Sequence, residues 1–171
     1  GDDVEQVAKI AQRAADQSRS MAVALQPGHL PTSDRQTFDL DEQEIEIGVG
    51  IHGEPGVERR DQSQKLPTAA SLVTELLDGI KDSLENAVKG TENESTDVML
   101  LVNGLGGTSE LELDLVFGEA VKQLGERGAT VRRGMRGTLV TSLNMAGISL
   151  TVTILDDELI ELIDAPTTAP A

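Results

Sequence analysis

The stretch GVGIHGEPG, Gly48 to Gly56, sets one of the chain's two histidines among four glycines and follows it with Glu-Pro. Gly48, Gly50 and Gly53 strip side chains from the surroundings of His52, so a small ligand can reach the ring and the nearby backbone amides. Pro55 stiffens the exit and biases Glu54 toward an extended backbone. Imidazole is largely uncharged near neutral pH and is then a competent nucleophile. Glycine-rich strand ends are also common without any chemistry, and the residues of this stretch alone leave both readings open.

Few other residues compete for a chemical role. His29 lies in QPGHLPTSD, a proline-flanked loop, and reads as an exposed or hydrogen-bonded loop histidine. With two separated histidines and no cysteine there is no metal-ligand spacing, and the carboxylates form no calcium loop. No G-x-S-x-G elbow is present, although a spatially assembled triad remains open. GLGG, Gly104 to Gly107, joins an apolar run to a capped helix, the setting of an anion-binding turn. It lacks a Lys-Ser/Thr and a full dinucleotide context, so the structural reading, a tight strand-to-helix turn, is preferred.

The chain has 171 residues, a net charge of -16 and only two aromatic residues, Phe38 and Phe117. Its core must therefore be aliphatic, and its surface repels phosphate backbones and anionic lipid. Arg132, Arg133 and Arg136 form the only basic stripe, too short and too poor in aromatics for nucleic acid. No apolar run approaches a membrane span and no signal-peptide pattern opens the chain; together with the lack of cysteine this fits a cytoplasmic protein. Its opening on Gly1 in an immediately helical pattern suggests a piece of a longer protein.

The elements that would hold these residues follow from periodicity. Asp3 and Gln6 have capping-box spacing and open a helix predicted over residues 2–20. Met21–Leu25 reads as a buried strand, and Glu44–Gly50, alternating acid and aliphatic residues, as a strand with one wet face. Glu58–Lys65 shows no period. Thr68 opens the clearest helix, with Leu72, Val73, Leu76, Leu77 and Ile80 on its stripe and Gly90 as its stop. Val98–Val102 reads as a strand covered on both faces, followed by a helix capped by Ser109 and Glu112. Three strands are predicted after it, TVRRGMRG, TLVTSLN and ISLTVTIL, the last two joined by a hairpin turn at Met145-Ala146-Gly147. DDELIELIDA closes as a short helix. The fold class is α/β (α+β), a mixed β-sheet with flanking helices in one domain spanning residues 1–171.

Taken in order, AVAL, TFDLDEQEIEIGVGIHGEPGVERR, VNGLGGTSELEL, GTLVTSLNMAGISLTV and DDELIELIDAP resemble the C-terminal domain of the substrate-binding subunit of dihydroxyacetone (glycerone) kinases. The similarity covers essentially the whole chain. It implies that His52 binds dihydroxyacetone covalently: a ring nitrogen adds to the ketone carbonyl and gives a hemiaminal, holding the terminal hydroxyl for in-line phosphoryl transfer. Gly50 and Gly53 would then line the substrate. Arg59 and Arg60, just after the motif, read first as salt-bridging surface residues, and Asn103, Gly104 and Gly106 as structural.

The resemblance also implies what lies elsewhere. The family subunit is about twice this length, and its N-terminal half, with a GGGSGHEP-type loop and the acid/base groups, has no counterpart in this sequence. The phosphoryl donor, ATP or phosphoenolpyruvate acting through an ADP-bearing partner, belongs to a separate helical nucleotide-binding domain or subunit, and no cofactor is expected on this domain. The isolated chain is expected to phosphorylate nothing. Family members are usually homodimers. Some relatives are dihydroxyacetone-sensing coactivators that keep the histidine but not phosphoryl transfer, and a degenerate paralogue that only assembles into complexes is a third reading. All but the last require an exposed, uncharged ring at position 52.

Overall fold

The computed structural model describes residues 3–33, 35–52, 54–62, 67–89 and 97–167. Among them the chain runs α1 (Val4–Asp16), β1 (Ser18–Gln26), β2 (Glu44–Ile47), β3 (Glu58–Asp61), α2 (Ala69–Lys89), β4 (Asp97–Gly104), α3 (Glu110–Glu126), β5 (Thr130–Gly137), β6 (Ala146–Ile154) and α4 (Asp157–Asp164). The strands form one mixed sheet in the order β3-β2-β1-β6-β4-β5, with only the β4–β5 pair parallel. This is the α/β layered arrangement that the element pattern implies.

One face of the sheet carries the larger of two apolar clusters; the smaller one, around Ala22, Ala24, Leu40, Val49, Leu105 and Met145, is separate from it. Val23, Ile45, Val98, Leu100, Val102, Ile148, Leu150 and Val152 alternate inward along their strands and meet the stripes of α2 and α3. From α2 come Leu72, Val73, Leu76, Leu77 and Ile80; from α3 come Leu113, Val116, Ala120 and Leu124. The aliphatic character of this cluster follows from the scarcity of aromatics. Val121 of α3 lies outside this stripe and is exposed.

The opposite face is polar near its centre. Ser20 bonds Thr151 and Ser18 bonds Thr153, each at 2.7 Å between hydroxyls of paired strands. Leu101 and Met99 are only half-buried there, so β4 is fully covered on one face rather than two. Helices α1 and α4 cover one end of this face and are tied by Arg13 to Glu158 at 2.7 Å. No residue of α1 is buried.

Three expectations are corrected by pairing between distant segments. The first helix stops at Asp16, because Ser18, Arg19 and Ser20 pair with Thr153, Val152 and Thr151. Glu58–Asp61 forms an edge strand despite its lack of period, since each of its residues pairs with one of β2. TLVTSLN is not a strand. Both sides of β6 are occupied, by β1 and β4, which leaves no place for a hairpin partner. Residues 138–145 instead cross the end of β4 as a loop held by Asn103. Gly90 and the polar segment 91–96 lie outside the described residues.

Candidate functional site

The loop between β2 and β3 carries the histidine. Its base is closed by Val57 N–H donating to the Ile47 carbonyl at 2.7 Å, and Gly48 N–H extends the β1 pairing by donating to the Ala22 carbonyl at 2.7 Å. Gly48 then turns the chain with φ +78°, a conformation that suits glycine. The far end of the loop is fastened from inside the sheet. Glu46, predicted on a wet face, is only 6% exposed. One of its carboxylate oxygens accepts from Gly56 N–H at 2.7 Å, and the other meets the Arg59 guanidinium at 3.2 Å. Arg59 stands directly opposite Glu46 in the β2–β3 register. Opposite charges at directly facing cross-strand positions attract, which accounts for burial of a carboxylate here.

The tip folds on itself. Gly50 N–H donates to the Glu54 carbonyl at 3.1 Å. The Glu54 side chain then turns back over Gly50: Oε2 accepts from the backbone N–H of His52 at 2.9 Å, and Oε1 lies 3.2 Å from His52 Nδ1. A Cβ on residue 50 would overlap this carboxylate and lie 2.8 Å from Glu54 Cβ. Hydrogen bonds from its own backbone amide, from that of His52 and from the His52 ring hold the Glu54 carboxyl below its ordinary range. An ionised carboxylate only accepts, so this contact favours the proton on Nδ1, the tautomer of the neutral ring in which Nε2 keeps its lone pair.

The His52 side chain is 79% exposed. It stands on a loop tip, not on a strand, and the exposure that its proposed chemistry demands is present. Beside the loop, an open groove of about 330 Å³ runs over the polar face of the sheet, bounded by Gly48, Gly50, Ile51, Leu101, Asn103 and Ser149. Gly50 thus lines a groove next to the histidine while its missing side chain accommodates Glu54. Gly53 lies outside the described residues.

The remaining candidates are absorbed by the fold. Arg60 pairs with Glu58 at 2.6 Å and with Glu75 of α2, so both arginines after the motif are salt-bridging, as expected. His29 is exposed, and its backbone N–H donates to Asn144 Oδ1 at 2.7 Å. Asn103, 3% exposed, accepts from Leu139 and Val140 N–H at 2.9 and 2.8 Å and donates to the Val140 carbonyl at 2.8 Å. Gly104 packs its Cα side near Thr138 and Leu113, and Gly106 turns at φ +125° where a Cβ would overlap the Leu143 carbonyl. Each arginine of the basic stripe meets an acid: Arg132 with Asp97, Arg133 with Asp164, Arg136 with Glu110 and Asp114. No helix of the described residues is long and apolar enough to cross a membrane.

Sequence reasoning missed Glu54 and Glu46. A carboxylate two residues after a histidine, with proline locking the backbone behind it, was the available signal for the first. Nothing local marks the second.

Comparison with known proteins sets this geometry in a family. The Dak1 domain model matches residues 1–171. The chain is 39% identical over 171 residues to a D-erythrulose kinase of Mycolicibacterium smegmatis, covering all of this chain and 28% of that protein. It is 34% identical over 170 residues to the dihydroxyacetone-binding subunit DhaK of a PTS-dependent dihydroxyacetone kinase of Listeria innocua, covering 99% of this chain and 48% of the subunit. Among solved structures, the dihydroxyacetone kinase operon co-activator DhaQ superposes with a TM-score of 0.84 at 30% identity, over 98% of this chain and 49% of that one. The chain thus spans less than half the length of these relatives. With a family match along its whole length and the same mixed sheet, the chain belongs to the Dak1 domain family.

Proposed function

We propose that this chain is the ketose-capturing part of a dihydroxyacetone-type kinase, and that His52 holds the substrate as a covalent hemiaminal. The observation that carries the reading is a solvent-facing imidazole whose Nδ1 is engaged by Glu54, which leaves the Nε2 lone pair free. That lone pair attacks the carbonyl carbon of dihydroxyacetone or a similar short ketose. A C–N bond forms as the carbonyl π bond breaks, and the oxygen takes a proton while the ring gives one up from Nδ1. The sum is a neutral adduct, and reversal regenerates ketone and imidazole. A polyol without a carbonyl has no electrophilic carbon and is not captured.

Phosphoryl transfer to the captured substrate is assigned to groups outside this chain. Its donor, ATP or phosphoenolpyruvate through an ADP-bearing partner, would sit on another domain or subunit, and the acid/base groups on a preceding domain. Gly106 and Gly107 support this division, since a Cβ on either would meet the chain's own backbone at Leu143 and Asn144.

The test uses the full-length protein with carbonyl-labelled dihydroxyacetone. Carbon NMR and intact mass should detect a protein-bound tetrahedral carbon in the wild type and none in His52→Ala. Capture that survives in His52→Ala overturns the assignment. The resemblance to the co-activator favours a second reading, a dihydroxyacetone sensor. Capture by the full-length protein without phosphorylation from either donor would select it.

A further inference from the structure

Resting on the reading of His52 as the nucleophile, we propose that Glu54 is a positioning residue that sets the tautomer of that ring and steadies its proton during capture. Glu54 presents two acceptors to two donors of one residue, the backbone N–H and ring Nδ1 of His52. The Gly50 N–H also donates to the Glu54 carbonyl, which brings the two residues together beside both contacts. The loop is itself clamped where Gly56 meets the buried Glu46 carboxylate, which also pairs with Arg59.

The chemistry follows from acceptor count. An unrestrained imidazole in water favours the proton on Nε2, which would block attack by that nitrogen. A carboxylate facing Nδ1 favours the other tautomer and directs the nucleophilic lone pair away from the loop. As Nε2 adds to a carbonyl carbon, positive charge grows on the ring and Nδ1–H becomes more acidic. The carboxylate stabilises that charge, takes the proton and returns it to solvent, from which the new alkoxide acquires one. Glu54 ends as the carboxylate and the adduct is neutral.

Glutamine is the informative replacement. An amide of the same shape replaces one of the two acceptor oxygens with a donor nitrogen, so it cannot present a separate acceptor to each N–H group of His52. The backbone amide cannot change, but the ring can, by moving its proton to Nε2. Gly50 enters the same argument, since a methyl group there overlaps the Glu54 carboxylate and displaces it.

The experiment is nitrogen NMR of the His52 ring in full-length protein without ligand, at a pH where the ring is neutral, for wild type, Glu54→Gln and Glu54→Asp. Capture of labelled dihydroxyacetone is measured on the same samples, with His52→Ala beside them. The expected result is the Nδ1–H tautomer in the wild type, a shift to Nε2–H in Glu54→Gln, partial rescue in Glu54→Asp, and capture weakened by about ten- to a hundredfold in Glu54→Gln. Unchanged tautomer and capture in Glu54→Gln overturn the role of Glu54 while leaving His52 as the nucleophile. Capture retained in His52→Ala instead removes the nucleophile assignment, whatever the tautomer shows.

Discussion

Two glycine-rich stretches of this chain follow strands and look alike in sequence, yet they are used in different ways. In 104–107 the absent side chains make room for the chain's own backbone: the loop 138–145 crosses so near that Gly106 faces the Leu143 carbonyl. In 48–56, Gly50 and Gly56 also make room for the protein itself, for Glu54 over Gly50 and for Glu46 beside Gly56. The contrast lies in what each loop leaves outside. The first ends in a capped helix and turns inward, whereas the second holds up an imidazole and a carboxylate. Glycine therefore marks close approach in both places, and the polar side chains that the close approach positions are what separates a structural turn from a candidate site.

That contrast can be broken most sharply at Gly106. Gly106→Ala forces an L-residue to φ +125° and drives its Cβ into backbone, so chemical denaturation should show a loss of about 3 kcal/mol or more. Asn103→Ala, which leaves the N–H groups of Leu139 and Val140 without their acceptor, should cost about 2 kcal/mol in the same measurement. Gly50→Ala should cost about 1–2 kcal/mol, less than Gly106→Ala, because the Glu54 carboxylate can swing into solvent while its Cβ, 2.8 Å away, moves only with the loop backbone, and it should weaken ketone capture about tenfold. His52→Gln should change stability by less than about 0.5 kcal/mol and abolish capture, since its side chain is 79% exposed. An equal loss of stability at Gly106 and Gly50, or of capture at neither Gly50 nor His52, would erase the distinction between the two loops.

The smallest effect concerns protons. The folded-state pKa of Glu54 is depressed, so its tether to His52 is complete above the ordinary value of 4.5 and is lost as pH falls through the lower, folded value. Slowed amide exchange at His52 should persist at pH 4.5 and disappear only in more acidic solution. Loss of that protection already above pH 4.5 would show that the carboxylate does not hold the loop.

Much of this protein is legible along the chain because it depends on neighbours in sequence. The stripe of α2, the Ser109–Glu112 cap of α3, the Asp3 cap of α1, the short helix α4 and the apolar run of β4 are local patterns, and each appears where the local sequence puts it. The glycines and proline around His52 are likewise a local pattern, although they leave its role open. What local pattern could not decide is which distant segment supplies a partner. Glu58–Asp61 is a strand only because β2 offers an edge, residues 138–145 are a loop only because β6 is already flanked, and Glu46 is buried only because Arg59 faces it. Glu54 belongs to both classes, close in sequence to His52 but turned onto it by a clamp that begins inside the sheet. Periodicity encodes which face of an element is apolar, whereas the register between elements is a property of the assembled sheet, and the orientation of the ring at position 52 depends on that register.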